Sequence, residues 1–364
     1  MGLTSSRRML ASLFHAWERR LASVTTDRVV RPFDWGLDWI PGRSGAAAVP
    51  RGNGAGSPAR DAAAELGGWV SDVMADTDAF FTPPPTTSYH STGAEDGTSL
   101  LTFPSAFTTP HPENNTVYCR YFRAAKHQGR SRAAVLVLPQ WNAGPGGHVG
   151  LCRLLTWQGM SALRLVLPYH DQRMPPELHR ADYIVSANVA RTVQICRQAV
   201  LDARRAIHWL AAQGYDRIGI LGTSLGSCLS LLTTAHEPLV RAEALNHISP
   251  YFADVVWRGL STEHVREGLD GHVALDLLRT LWKPISPRWY LERVRDRQTL
   301  LVYARYDLSF PVDLSEDLVR EFRQRDIPHE VAVLRCGHYS TGKTPFKYLD
   351  GWLLTQFLKK ALKV

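Results

Sequence analysis

The sequence predicts an α/β domain built on a mostly parallel sheet. Three observations predict it. Short runs that are apolar almost throughout, AAVLVLP (residues 133–139) and ALRLVLP (residues 162–168), suit strands covered on both faces. Helical stretches alternate with such runs from the region of Leu151 onward, as parallel crossovers require. Side chains able to do chemistry stand just past several strand ends, the edge where doubly wound sheets collect it.

Taken in order, residues 1–42 read as an N-terminal helix and a connector bearing Phe33, Trp35 and Trp39. On that helix Leu10, Leu13, Phe14, Trp17 and Leu21 share one face, with Arg7, Arg8, Arg19 and Arg20 nearby. Such a face packs on its own domain, makes peripheral contact with a membrane surface, or carries a targeting signal. Residues 42–68, rich in Gly, Ala and Ser, read as a linker, and TPPPTT (82–87) as a further break. SLLTFPSA and NNTVYCRYF read as strands joined by a polar, proline-bearing turn.

After AAVLVLP come the glycine-rich loop QWNAGPGGH and a helix through Leu151–Leu155. ALRLVLP leads to a long helix over about residues 185–213, ended by Gly214. RIGIL is a strand, GSCLSLLTTAH a helix and AEALNHIS a strand. Residues 254–297 are helical and tryptophan-bearing, without a clear strand. TLLVYARYD (strand), 312–324 (helix), EVAVLRCGH (strand) and 347–362 (helix) complete the chain. The expected division is an extension over 1–98 and a domain over 99–364, with a helical cap insertion at about 250–297.

Composition narrows the function classes. With 364 residues, 45% of them hydrophobic and 21% charged, the chain is globular rather than disordered. The net charge of +8 comes mostly from arginines spread along the chain, with no dense basic block interleaved with aromatics, so no nucleic-acid partner is expected. The five cysteines include no C-x-x-C, which points to reduced thiols, and a reducing, cytoplasmic compartment is expected. No P-loop, no G-x-G-x-x-G after a strand and no zinc spacing occurs, so the expectation is no cofactor and no metal. No apolar run approaches a membrane span.

Gly222-Thr223-Ser224-Leu225-Gly226 is a G-x-S-x-G at the end of RIGIL. Two glycines around one serine serve either a tight strand-to-helix turn or a serine held up to react. Asp307 follows TLLVYARY and His338 follows EVAVLRCG, each at a later strand end. Asp313 and Asp317 are rival acids, but Asp307 sits directly at its strand end.

Serine, acid and histidine in that chain order, with the elbow GTSLG and the stretches YDLSFP and GHYSTG, resemble the α/β-hydrolase superfamily over about residues 99–362. The resemblance implies the α/β-hydrolase fold and a serine hydrolase that cleaves a carboxylic ester through an acyl-enzyme. Ser224 would be nucleophile, His338 general base and then acid, and Asp307 the group that fixes the imidazole. The Leu225 N–H would be one oxyanion donor. The second should come from the loop after AAVLVLP. Many relatives carry His-Gly there, whereas this chain has Gln140-Trp141-Asn142, and by position Trp141 is the donor, with Gln140 and Asn142 as alternates.

Asn142, Tyr169 and His170, with Arg173, are candidates to line the substrate pocket, or form a polar loop of their own. Trp257, Trp282 and Trp289 would wall the pocket or form the cap's core. The other readings are an amidase or peptidase, an acyltransferase, a membrane-associated lipid hydrolase, and a non-catalytic binding protein on the same fold. The expected partner is a small-molecule ester, and the sequence does not fix the oligomeric state.

Overall fold

The computed structural model of the protein describes residues 2–41, 58–125 and 132–364. Among the described residues nine strands form one sheet, in the order β1-β2-β3-β5-β4-β6-β7-β8-β9. They are β1 (His90–Gly93), β2 (Ser99–Pro104), β3 (Thr116–Phe122), β4 (Ala133–Leu138), β5 (Ser161–Leu165), β6 (Arg217–Thr223), β7 (Val240–Asn246), β8 (Gln298–Ala304) and β9 (Glu330–Leu334). β1, β2 and β3 are antiparallel, β3 meets β5 antiparallel, and every pairing from β5 to β9 is parallel.

The helices are α1 (Gly2–Ala22), α2 (Pro58–Ala75), α3 (Thr77–Phe81), α4 (Val149–Trp157), α5 (Val189–Ala212), α6 (Leu225–His236), α7 (Phe252–Arg258), α8 (Glu263–Leu269), α9 (Leu275–Leu281), α10 (Val312–Gln324), α11 (His338–Thr341) and α12 (Phe346–Ala361). Strand alternation divides the core. Ala134, Leu136 and Leu138 of β4 face the core shared with α5, α6 and α10, while Ala133, Val135 and Val137 face the core shared with α4 and α12. All six β4 side chains are buried, as its unbroken apolar run requires.

Several boundaries differ from the sequence reading for physical reasons. The first part of the expected linker, up to residue 57, lies outside the described residues; from Pro58 the chain is helical. Its alanines favour helix, and Leu66, Val70 and Val73 recur on one buried face despite Gly67 and Gly68. β5 stops at Leu165, short of the run's end. Val166 still donates to Tyr118 O (2.9 Å), but Pro168 has no N–H and Tyr169 turns at φ 64°. On α1 Glu18 and Ala22 are buried and Phe14 packs against the core; Leu10 and Leu13 are exposed. Between β7 and β8 the chain is helical, and Trp282 is fully buried with its indole N–H on Val189 O (3.1 Å).

Arg173, a candidate pocket residue, is instead locked in the core. Its guanidinium pairs with the equally buried Asp202 (2.8 Å) and donates to Val166 O (3.0 Å) and Asn114 O (2.8 Å). Asp202 also accepts from Ser105 Oγ (2.8 Å) and Ala106 N (3.2 Å), which ties β2 to α5. Removing one member of such a pair leaves an unpaired buried charge. Arg173→Met is expected to cost roughly 3–5 kcal/mol, read by equilibrium denaturation. Burial already raises the Asp202 pKa against Arg173, so the loss should grow as pH rises and Asp202 is forced to ionise. A loss below about 1 kcal/mol, typical of exposed pairs, would contradict this assignment.

Candidate active site

β6 ends in a strained turn. Ser224 sits at φ 57°, ψ −120°, immediately before α6, and its N–H continues the sheet by donating to Asn246 O (2.8 Å). Both flanking glycines are dictated by contact. A Cβ on Gly222 would lie 2.1 Å from Gly226 O, and one on Gly226 would lie 2.1 Å from Leu138 O. The turn is thus squeezed between its own helix and the end of β4, and the serine lines an open cavity.

Asp307 follows β8 and is buried. One carboxylate oxygen accepts the N–H groups of Ser309 (2.8 Å) and Phe310 (2.7 Å). The other contacts two imidazoles, His338 Nδ1 at 3.0 Å and His247 Nδ1 at 2.8 Å. Burial alone would raise the Asp307 pKa, but the charge of His338 and the bonds from both rings hold it well below the usual carboxylate range. An ionised carboxylate only accepts, so both Nδ1 atoms carry hydrogen and both Nε2 atoms are left as acceptors.

The two histidines differ in environment. Burial opposes charging of His338, yet Asp307 outweighs it and the pKa is raised above 6.5. Burial, then the neighbouring His338, lowers that of His247. The His338 ring stacks on Phe310 at 5.4 Å and keeps 13% of its side-chain surface exposed. The His247 side chain is 2% exposed, its Nε2 has no partner, and its backbone turns at φ 56°. His338 is therefore the ring placed to gain and lose a proton. Among the described residues no hydrogen bond joins Ser224 Oγ to either ring, and catalytic bonds of this kind commonly tighten only around substrate. The same two histidines and Asp307 form the group of potential metal ligands found among the described residues. Both Nδ1 atoms are already turned onto Asp307, so the arrangement is a hydrogen-bond network.

Ser224, His247 and His338 line one cavity of about 790 Å³, within the range of roughly 300–1,000 Å³ usual for small-molecule sites. Trp141 and Asn142 line it as well; Leu225 sits at the start of α6, immediately after Ser224. Among the described residues the backbone N–H groups of Leu225 and Trp141 have no hydrogen-bond partner. The Asn142 N–H is taken by His170 Nε2 (2.9 Å), and its side chain accepts from Ala181 N (2.8 Å). Free donors therefore stand beside the serine on the elbow and on the loop after β4.

Tyr169 and His170 do not line the cavity. Tyr169 is buried with its hydroxyl on His111 Nδ1 (2.9 Å), and His170 supports the Trp141–Asn142 loop from behind, where burial pushes its pKa down to about 4. Trp257, Trp282 and Trp289 also stand outside the cavity lining. Sequence reasoning missed His247. It follows the strand AEALN at the same sheet edge as Ser224, Asp307 and His338, and that position was the available signal.

Sequence reasoning also missed Glu18 of α1. Its side chain is fully buried, and its two oxygens accept the N–H groups of Tyr339 (2.8 Å) and Ser340 (2.9 Å), the residues that follow His338. A Cβ on Gly337 would fall 2.3 Å from the Glu18 carboxyl carbon, so the glycine before His338 admits this carboxylate. Phe14 stacks on Tyr306, next to Asp307, at 4.6 Å. The N-terminal helix thus packs against both segments that carry the Asp–His pair. A polar residue on a helix carries no sequence signal of a cap made more than 300 positions away.

Similar solved structures support the fold. The acetyl xylan esterase from Paenibacillus sp. R4 superposes with a TM-score of 0.57 over 93% of this chain and 98% of that one, at 14% identity. Acetyl xylan esterase 1 from Thermoanaerobacterium sp. JW/SL YS485 does so with a TM-score of 0.56, covering 81% and 93% of the two chains at 12% identity. The acylaminoacyl peptidase of Pyrococcus horikoshii matches with a TM-score of 0.56 and 14% identity, over 76% of this chain; the match spans only 42% of that protein's length. The chain has the α/β-hydrolase fold. No family model and no curated protein matches its sequence.

The Glu18 contact has a measurable consequence. Its charge also raises the His338 pKa, though less than Asp307 does. In Glu18→Gln, the rise of kcat/KM with pH, which follows deprotonation of His338, should move to lower pH, and kcat should fall while KM changes little. An unchanged acid limb with an unchanged kcat would show that the cap has no role in placing the histidine.

Proposed function

We propose that the protein is a serine hydrolase that cleaves a carboxylic ester through an acyl-enzyme. The observation that carries this reading is the strained Ser224 elbow opening on the same cavity as His338, whose ring is held by the buried carboxylate of Asp307. In the first step Ser224 Oγ attacks the ester carbonyl as His338 Nε2 takes its proton. The oxyanion forms against the Leu225 and Trp141 N–H groups, aided by the positive end of α6. The C–O bond to the alcohol then breaks, and His338 returns the proton to the departing oxygen. Water repeats the sequence on the acyl-enzyme, which releases the acid and restores the serine. Throughout, Asp307 keeps Nδ1 protonated and stabilises the imidazolium.

Two structures that this chain matches over more than nine-tenths of their own length bear the names of esterases, which favours an ester over an amide. The alternatives of a peptidase and an acyltransferase share the same triad chemistry and differ in leaving group and acceptor. A fluorophosphonate probe should label the wild-type protein and fail to label Ser224→Ala; full labelling of that variant would remove Ser224 as nucleophile. Asp307→Asn should lower kcat for a p-nitrophenyl ester on the order of 10⁴-fold. Asp313 is 61% exposed and paired with Arg258 at 2.8 Å, so Asp313→Asn should leave the rate within about twofold, as expected for a surface pair. The opposite ranking would move the acid to Asp313.

A further inference from the structure

The cavity wall is basic, and the N-terminal connector makes part of it. Arg28, Arg180 and Lys347 line the cavity, while among the described residues Asp350 is the one carboxylate that does so. Burial pushes the Asp350 pKa up to about 7, so its charge is weak at neutral pH. Arg28 lies beside the catalytic histidine. Its Nη2 donates to the Tyr339 hydroxyl (3.0 Å) and to Ala22 O (3.2 Å), and the Tyr339 ring centre is 5.9 Å from that of His338. The remaining donors of Arg28 are unused. Nε is buried without a partner, Nη1 makes no hydrogen bond, and no carboxylate among the described residues pairs with the group.

The neighbouring charges do not compensate it. Arg180 holds Asp27 (3.0 Å), and its other contact, Asp182 at 3.7 Å, is already bound by Arg31 at 3.1 Å. Arg31 and Arg180 thus share Asp27 and Asp182 between them, and among the described residues Arg28 makes no ion pair. The Arg180 guanidinium also lies over the Trp141 ring at 5.5 Å, on the loop that carries the free N–H. Arg28 Nη1, an idle donor on the wall of the cavity that Ser224 and His338 also line, is placed to take a carboxylate from outside.

We propose that the ester cleaved at Ser224 carries a second, free carboxylate, and that Arg28, assisted by Arg180, binds it. The inference rests on Ser224 being the nucleophile and specifies the substrate class of that site. No bond to the carboxylate forms or breaks; it serves as a handle, so its contribution is made equally in the ground and transition states and appears mainly in KM.

The test compares two matched pairs of esters. p-Nitrophenyl hemiglutarate against p-nitrophenyl pentanoate places the charge on the acyl side. 4-Acetoxybenzoate against 4-acetoxybenzamide places it on the alcohol side. In wild type at least one anionic ester should have a kcat/KM about tenfold or more above its neutral partner, the scale of one charge-assisted hydrogen bond. Added salt should shrink that ratio. Arg28→Gln should abolish most of it through KM, Arg28→Lys should retain part, and Arg180→Gln should reduce it. The ratio is taken within each variant, so any disturbance of His338 through Tyr339 cancels. Equal or lower kcat/KM for both anionic esters in wild type would overturn the proposal, as would a preference that survives in Arg28→Gln. Fluorophosphonate labelling of Ser224 separates the two failures: labelling without charge discrimination sinks only the carboxylate handle, whereas no labelling sinks the hydrolase reading itself.

Discussion

The site depends on one buried carboxylate. Asp307 gathers four donors, two backbone N–H groups on one oxygen and two imidazole N–H groups on the other. An ionised carboxylate in so enclosed a place is tolerable only because every lone-pair direction is used. That satisfaction keeps it ionised, which fixes the tautomer of both histidines and turns the His338 acceptor nitrogen outward. The division of labour between the two rings follows from solvent and from each other. The more exposed ring holds charge against Asp307, and burial first, then the charge of its neighbour, disfavours charging of the enclosed ring. His247 is thus a fixed hydrogen-bond donor to the acid, a positioning residue whose full burial is its qualification.

Around this centre the fold spends strain where the geometry requires it. Ser224 and His247 both adopt positive φ at the ends of adjacent parallel strands, where Gly222 and Gly226 let α6 approach the end of β4. The loop after β4 is held by a buried histidine, and the loop after β9 by a buried glutamate from the first helix. Each reacting element therefore has a second element behind it. The N-terminal segment contributes a cap in Glu18, an aromatic stack in Phe14 and a cavity wall in Arg28, so its role is inseparable from the site.

The parallel strands and the order serine, acid, histidine were legible because they are local or positional. β4 announces itself by an unbroken apolar run, and Ser224, Asp307 and His338 by standing one, three and four residues past the ends of β6, β8 and β9. What was not legible depends on contacts between distant segments. The exposed strand β1 has no alternation to read. The pairing of His247 with Asp307 needs the neighbouring order of β7 and β8, and the reach of Glu18 to Tyr339 needs the path of a connector without regular hydrophobic spacing. Tyr169 and His170 stand past a strand end as cavity residues would, but the early stop at Leu165 carries them into the core. On the face of α1 that periodicity marks, Phe14 packs while Leu10 and Leu13 are exposed, and the side chain buried most deeply is the polar Glu18.

The central claim is that Asp307 holds two protonated Nδ1 atoms and that the more exposed ring charges before the enclosed one. Nitrogen-resolved NMR of the histidine side chains across pH 5 to 9 reads this directly. His338 should titrate above its ordinary pKa, and His247 should carry hydrogen on Nδ1 when neutral and charge only below its ordinary pKa, after His338. A titrating His247 beside a His338 that stays neutral, or a hydrogen on Nε2 of neutral His338, would contradict it.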